Sequence, residues 1–354
     1  MFPRLTLEQA FQLGKSYTTS LFSPQLLWVH LWVTERCQLD CSYCTVVDNT
    51  TTDPSLSELK SRISHAADLG AVVVAFMGGE PTIRKDLVQL IEYTHSLSML
   101  SQVVTHGKTL KSKRLEDYCI AGLQLLELSV DGYSVNTSTF FSGKTDSPKN
   151  LLGDESLFDL LESAREKYSL FFKVHHVLAA ENLSQVPLLL ELSSRRNIPI
   201  SFGYVHEEGV FFGQRRVSYA DPAVQKELIS ALDTIIFAQQ NGALVLNSRD
   251  YLLDGRNALL QGDFQKPFVH QQCDVGEYMV QVGVHGKIYR CSVQGKTYGA
   301  NFLEIGKDYF SLDLHGSSAM KEGAYGCKVS CGSACGDITS RFRKNPFGII
   351  SRLF

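Results

Sequence analysis

Along the first two-thirds of the chain the spacing of apolar residues changes again and again between two periods. Leu27, Val29, Leu31 and Val33 alternate with polar or aromatic neighbours, which predicts a strand over Gln25–Val33. Ser55-Leu-Ser-Glu58 has the spacing of a capping box and opens a helix to about Leu69, where Gly70 stands in the usual terminating position. Ala71–Met77 is apolar throughout, as a strand covered on both faces should be. The same reading gives helices at Asp86–Leu97, Lys111–Ala121, Leu157–Tyr168 and Leu183–Arg196. It gives strands at Ser101–Thr105, Leu125–Val130, Leu170–Leu178 and Ile198–Tyr204. Strand and helix in strict alternation imply an α/β fold with a parallel sheet.

The flanks read differently. Residues 1–25 form an amphipathic helical arm, with Leu5, Leu7, Ala10, Phe11 and Leu13 on or near one face. Its expected task is to cap the domain, with contact to a membrane surface as the alternative. Residues 133–153 are a long polar loop, suited to a lid or an insertion. Ala223–Asn241 is a long helix within a helical connector over 211–265. Cysteine and glycine then rise through 266–340, where Tyr278–Val284 and Lys287–Cys291 predict a hairpin turning at His285-Gly286. A tail over 341–354 mixes basic and apolar residues; docking on the core is its expected role and a membrane-surface contact the alternative.

Composition narrows the possibilities. With 354 residues, 44% apolar and 20% charged, the chain can bury a large core. A net charge of −3 without a basic run gives no footprint for nucleic acid. No signal-peptide core opens the chain and no run of eighteen apolar residues occurs in it, so a cytoplasmic location is expected. Nine cysteines fall in groups, at 37–44, at 119 and between 273 and 335. Grouped cysteines in a long chain point to metal ligation rather than to a disulfide scaffold.

Cys37, Cys41 and Cys44 lie on one short loop just after the first strand. Three thiolates so placed can hold three corners of a [4Fe–4S] cluster and leave one iron open to a ligand from outside the protein. Zinc, or three unrelated thiols, would be the alternative, but zinc knuckles pair C-x₂-C with a second ligand pair that is missing nearby. Gly78-Gly79-Glu80 follows the second strand, and Ser129-Val-Asp131 ends the fourth. In parallel barrels the chemistry gathers at these strand ends.

Over roughly residues 24–210 these motifs resemble the radical S-adenosylmethionine (SAM) superfamily. Cys37, Cys41 and Cys44, with Tyr43 at the aromatic position, match C-x₃-C-x-aromatic-C. Gly78-Gly79-Glu80-Pro81 matches the segment that receives the SAM ammonium group, and Ser129 and Asp131 match the strand-four pair near its ribose and carboxylate. His175-His176-Val-Leu followed by Asn182 is similar to the family's fifth strand and turn. Thr105-His106-Gly107 departs from the commoner Thr-Asn-Gly. The resemblance implies a partial (β/α)6 TIM-like barrel and SAM chelated to the open iron. It further implies reductive cleavage of SAM to a 5′-deoxyadenosyl radical that abstracts hydrogen from an organic substrate, fed by a one-electron donor such as flavodoxin or ferredoxin.

The cysteines beyond 265 look like a twitch extension, a shortened relative of the SPASM extension. Cys273 and Cys291 carry its C-x₁₂-G-x₄-C element, with two of Cys327, Cys331 and Cys335 completing an auxiliary [4Fe–4S] cluster. Cys119 reads as a buried apolar residue. A peptide or small natural product is the expected substrate. An adenosylhopane synthase-like enzyme acting on a lipid, and an iron–sulfur electron carrier without enzymatic activity, are the alternatives. His175 and His176 should point to opposite faces of their strand, and Tyr204 and His206 could face substrate or close the barrel.

Overall fold

The computed structural model describes residues 4–20, 26–41, 43–132, 155–204, 221–261, 278–289 and 297–306. Strands β1 (Trp28–Thr34), β2 (Val73–Gly78), β3 (Leu100–Thr105), β4 (Leu123–Ser129), β5 (Phe171–Leu178) and β6 (Ile200–Tyr204) lie side by side in chain order, all parallel. Between them run helices α2 (Leu56–Asp68), α3 (Leu87–Ser96), α4 (Ser112–Ile120), α5 (Ser156–Tyr168) and α6 (Val186–Arg196). The sheet is open: its first edge is β6, and the expected partial barrel is the result.

Local chemistry sets the element ends. The Ser55 hydroxyl accepts from the Glu58 N–H while Glu58 Oε2 accepts from the Ser55 N–H at 2.8 Å, so the capping box forms in full. One predicted helix divides. Leu183–Gln185 is a 3₁₀ turn and α6 begins only at Val186, with Pro187 in its first turn, where a missing N–H costs nothing. Helix α7 (Pro222–Gln240) is followed by α8 (Arg249–Leu260). Asn247 between α8 and the sheet bonds both the N–H and the C=O of Phe202, which closes part of the β6 edge.

The sheet has two distinct faces. Val29, Leu31 and Val33 of β1 join Val74 and Phe76 of β2 in a core with Leu59 and Ile63 of α2 and Leu90 and Ile91 of α3. Strand alternation sends Trp28, His30 and Trp32 to the other, concave face. There Trp28 packs with Val73, Leu100, Leu125 and Phe171 into an apolar floor, against which Leu5 and Leu13 are set.

Helix α1 (Leu7–Ser20) caps this floor, as expected of the arm, but not with the expected face. Gln9 Nε2 donates to the Met99 carbonyl at 3.2 Å and Gln9 Oε1 accepts from Gln124 at 2.9 Å. Leu7 is 92% exposed and Phe11 69%, so the polar Gln9 faces the barrel instead of these two. The carbonyls left at the start of the sheet favour an amide over an apolar group. No helix among the described residues is long and apolar enough to cross a membrane.

The hairpin near the C-terminus is not a separate layer. β7 (Met279–Val282) pairs in parallel with β1, and β8 (Lys287–Tyr289) and β9 (Thr297–Asn301) follow antiparallel, so the sheet continues through them. Arg62 of α2 donates to the Val284 carbonyl at 2.9 Å, and His65 bonds the Ile305 carbonyl. Gly286, at φ +76, makes the turn expected of it. Residues 133–154, 205–220, 262–277, 290–296 and 307–354 lie outside the described residues, and with them the polar loop, His206, the basic tail and Cys273, Cys291, Cys327, Cys331 and Cys335.

Candidate active site

The loop carrying Cys37, Cys41 and Cys44 leaves the C-terminal end of β1 and is folded by its own backbone. Cys44 N–H donates to the Cys41 carbonyl at 2.9 Å, and the Leu39 N–H points at the Cys37 sulfur at 3.4 Å. An N–H aimed at sulfur favours a thiolate there. The side chain of Asn49 accepts from the Cys37 N–H. At the base of the loop Asp53 takes the hydroxyl of Thr34 at 2.6 Å and pairs with Arg36. Burial opposes ionisation of Asp53, but bonds from Arg36 and Thr34 win and hold its carboxyl below the usual range.

Gly78 and Gly79 run directly against this loop. The Gly79 N–H donates to the Thr34 carbonyl at 2.8 Å and the Glu80 N–H to the Arg36 carbonyl at 2.9 Å. A Cβ on Gly78, which sits at φ +125, would lie 2.0 Å from the Thr34 oxygen, and one on Gly79 2.3 Å from the Arg36 oxygen. The glycine pair is therefore what lets β2 pass alongside the cysteine loop.

Glu80 is 1% exposed and works as a keystone between strand ends. Its Oε1 accepts from the Thr82 N–H at 3.1 Å and the Thr105 hydroxyl at 2.7 Å; its Oε2 accepts from the His106 N–H at 3.0 Å. The His106 ring reaches back at 3.2 Å to Glu80 Oε2 and at 3.3 Å to Gln38 Oε1. Since the Lys108 N–H donates to His106 Nδ1, the proton of a neutral ring lies on Nε2, facing these oxygens. The unusual histidine of Thr105-His106-Gly107 thus touches the cysteine loop through Gln38, a link that the sequence did not suggest.

A third tie comes from β4 and β5. The Tyr43 hydroxyl donates to Asp131 Oδ1 at 2.8 Å, and both residues are buried. Asn182 donates to the Asp131 carbonyl at 2.9 Å and the Val177 carbonyl at 2.8 Å while accepting from the Ala179 N–H. Ser129 is half-buried, in register with His175, whose ring bonds the Ser201 hydroxyl at 2.9 Å. His176 points the other way, fully buried, and bonds the Val130 carbonyl; burial pushes it down to about 4. Tyr204 lies in the outer core beside Tyr251, not toward the concave face. Cys119 is partly buried, and burial pushes its thiol up to about 12, as suits an inert packing residue.

The donor set fits an iron–sulfur cluster better than a single ion. Among the described residues no three His, Cys, Asp or Glu side chains converge as a single metal ion requires. A cubane instead spreads its thiolates over separate irons. Cys37, Cys41 and Cys44 each keep some exposure, on one short loop. Gln38, Asn49 and Asp53 are the supporting residues that spacing alone did not reveal.

Residues 33–187 match the family model described as the Radical SAM superfamily. The PqqA peptide cyclase of Bradyrhizobium diazoefficiens is 29% identical over 170 residues, 47% of this chain and 43% of that protein. The PqqA peptide cyclase of Xanthomonas euvesicatoria is 27% identical over 225 residues, 62% of this chain and 57% of that one. The chain therefore spans about half the length of the curated relatives it matches. Streptococcus suis SuiB bound to S-adenosylmethionine superposes with a TM-score of 0.61 at 16% identity, covering 89% of this chain and 71% of SuiB. Native anSMEcpe with bound AdoMet and Cp18Cys peptide gives 0.58 at 17% identity, covering 84% and 82%. At such identities the likeness is one of fold.

Proposed function

We propose that this chain, whose residues 33–187 match the Radical SAM superfamily model, is an enzyme of that family that cleaves SAM reductively and abstracts hydrogen from a peptide substrate. The observation that carries this reading is the barrel mouth itself. A three-thiol loop is locked to three neighbouring strand ends, by the Gly78-Gly79 approach, by Gln38–His106–Glu80 and by Tyr43–Asp131. Cys37, Cys41 and Cys44 would hold a [4Fe–4S] cluster, and Gly78, Gly79, Ser129 and Asp131 would line the SAM site beside it. Once bound, the cluster would supply the electron that breaks the sulfonium bond of SAM.

Glu80 would belong to the segment that receives the SAM ammonium group, and it has a second task in the mouth. Its carboxylate is engaged by Thr82, Thr105 and His106, so it orients the mouth and would meet the SAM ammonium group only with lone pairs left over from those bonds. A shielded site matters because a reactive intermediate must not meet water, and the buried Tyr43–Asp131 bond seals one side of the mouth.

The peptide assignment is supported by the curated relatives named PqqA peptide cyclase and by SuiB bound to precursor peptide SuiA. The proposed organisation is a core over 26–210, a connector over 211–265 and an extension over 266–340. In the extension Cys273 and Cys291, with two of Cys327, Cys331 and Cys335, would hold an auxiliary [4Fe–4S] cluster. An external one-electron donor, flavodoxin or ferredoxin, would complete the system.

Anaerobic reconstitution tests both clusters: about eight irons per chain are expected from two four-iron sites. The Cys273→Ala/Cys291→Ala double variant should fall to about four. Dithionite with SAM should yield 5′-deoxyadenosine, and Cys41→Ala should yield none. Four irons in both proteins would remove the auxiliary cluster, and no 5′-deoxyadenosine from the wild type would remove the enzymatic reading.

A further inference from the structure

Below the mouth, the concave face carries a row of polar side chains that neither the cluster nor SAM accounts for. Strand pairing puts Gln281 beside His30, His30 beside Ala75, and Ala75 beside Gln102, so all four point into the bore. Gln102 is 6% exposed and Gln281 4%. The side-chain oxygens of both, His30 Nδ1 and, just below, Trp28 Nε1 are buried without a hydrogen-bond partner. Buried polar groups of this kind are rare, and each asks for a partner of its own.

The charged groups nearby are already matched. Lys173 and Glu127, in register on β5 and β4, form an ion pair at 2.8 Å. Burial opposes the charge on Glu127, but Lys173 and the nearby histidines outweigh it and hold the carboxyl at about 2. Burial, partly offset by Glu127, pushes His30 down to about 4, so its ring is neutral at pH 7. Both side chains nonetheless keep some accessible surface, Glu127 16% of its side chain. Trp28, His30, Glu127 and Lys173 thus keep free surface on the concave face, and the row runs among them.

We propose that the row of Gln281, His30 and Gln102 is a binding site for a neutral carboxamide, such as a side-chain or terminal amide of the substrate reaching down the bore. A carboxamide carries two N–H donors for the orphaned glutamine oxygens and a carbonyl for the indole N–H of Trp28. A charged group would shed its hydration with no free counterion to meet it, because Lys173 and Glu127 already neutralise each other. This deepens the reading of the mouth as a SAM-dependent site and rests on it only for what is done to the bound group.

Trp28 and Trp32 are the only tryptophans of the chain, and both belong to the concave face. Fluorine NMR of the 5-fluorotryptophan-labelled holoprotein, assigned with Trp28→Phe, therefore reads the bore directly. Propionamide should shift the Trp28 resonance saturably, at least ten-fold more tightly than propionate or propylammonium. Gln102→Leu/Gln281→Leu should weaken that binding at least ten-fold. Ala75→Leu, which crowds the middle of the row and leaves the polar atoms in place, should do the same and guards against a double variant that misfolds. Equal affinity for the three probes, no saturable shift, or a shift unchanged in both variants would overturn the site and leave the row to ordered water. The measurement does not depend on turnover. Amide binding without 5′-deoxyadenosine formation would sink the SAM reading alone, and the reverse would sink this one alone.

Discussion

Two buried polar layers lie one above the other along the strands, and they are satisfied to opposite degrees. At the mouth, Glu80, Asp131 and Asn182 are each hydrogen-bonded to neighbours from other elements. In the bore, Gln102, Gln281, His30 and Trp28 each leave an atom without a partner. The first layer is scaffold: its bonds fix where three strand ends stand relative to the cysteine loop. The second is receptive, since its bonds remain to be made. Buried polar residues thus do not form one category, and counting their partners separates those that hold the site from those that face a ligand.

This contrast can be broken by substitution. The largest effect is expected for Gly79→Ala, whose Cβ would meet the Arg36 carbonyl at 2.3 Å. Shifting two backbones apart should cost about 3 kcal/mol, read as a lower urea midpoint, together with loss of most cluster iron on reconstitution. Glu80→Gln keeps the shape but turns an amide N–H toward donors, for about 2 kcal/mol. A variant as stable as wild type would show that the mouth is not scaffold.

Acidification probes the two buried histidines. His30 and His176 both have folded values of about 4, below the ordinary 6.5, so the unfolded chain binds more protons between those values and stability falls as pH drops through that window. Each ring should cost about 2 kcal/mol on going from pH 7 to pH 5. Denaturant titrations of His176→Phe and His30→Phe at both pH values should show the loss reduced by one ring's share in each. An undiminished loss would place the sensitivity elsewhere.

Smaller effects sharpen the comparison. Tyr43→Phe deletes a buried bond to an aspartate and should lower stability by about 1.5 kcal/mol. Gln281→Leu removes an orphan rather than a partner, so without ligand it should be neutral or stabilising, by up to about 1 kcal/mol. Opposite signs for these two conservative changes, measured by urea denaturation, are the clearest statement of the difference between the layers.

Much of this architecture is legible in the chain. The period changes give every strand of the parallel barrel to within a few residues, because buried strands read as apolar runs or alternations and the helices between them as a longer period. The loop of Cys37, Cys41 and Cys44 is legible because its cysteines are close in sequence. What stays hidden depends on partners far apart in the chain. His106 looks like a small departure from a motif until Gln38 is found beside it. Leu7 and Phe11 fit an amphipathic stripe, yet Gln9 faces the barrel because carbonyls at the sheet's start need a donor. β7 reads as half of a hairpin, and nothing in Met279–Val282 reveals that its other neighbour is β1, some 250 residues earlier. The orphaned row is invisible for the same reason: Gln102 and Gln281 meet only through strand register.

Helix α1, lying across the start of the strands, closes one end of the barrel with Gln9, Leu5 and Leu13. With that end stopped, whatever approaches the concave face has to come from the end where the cysteine loop stands or from the side that the open sheet leaves between its edges, β6 and β9. The helix thus narrows the ways in from a position on neither of them.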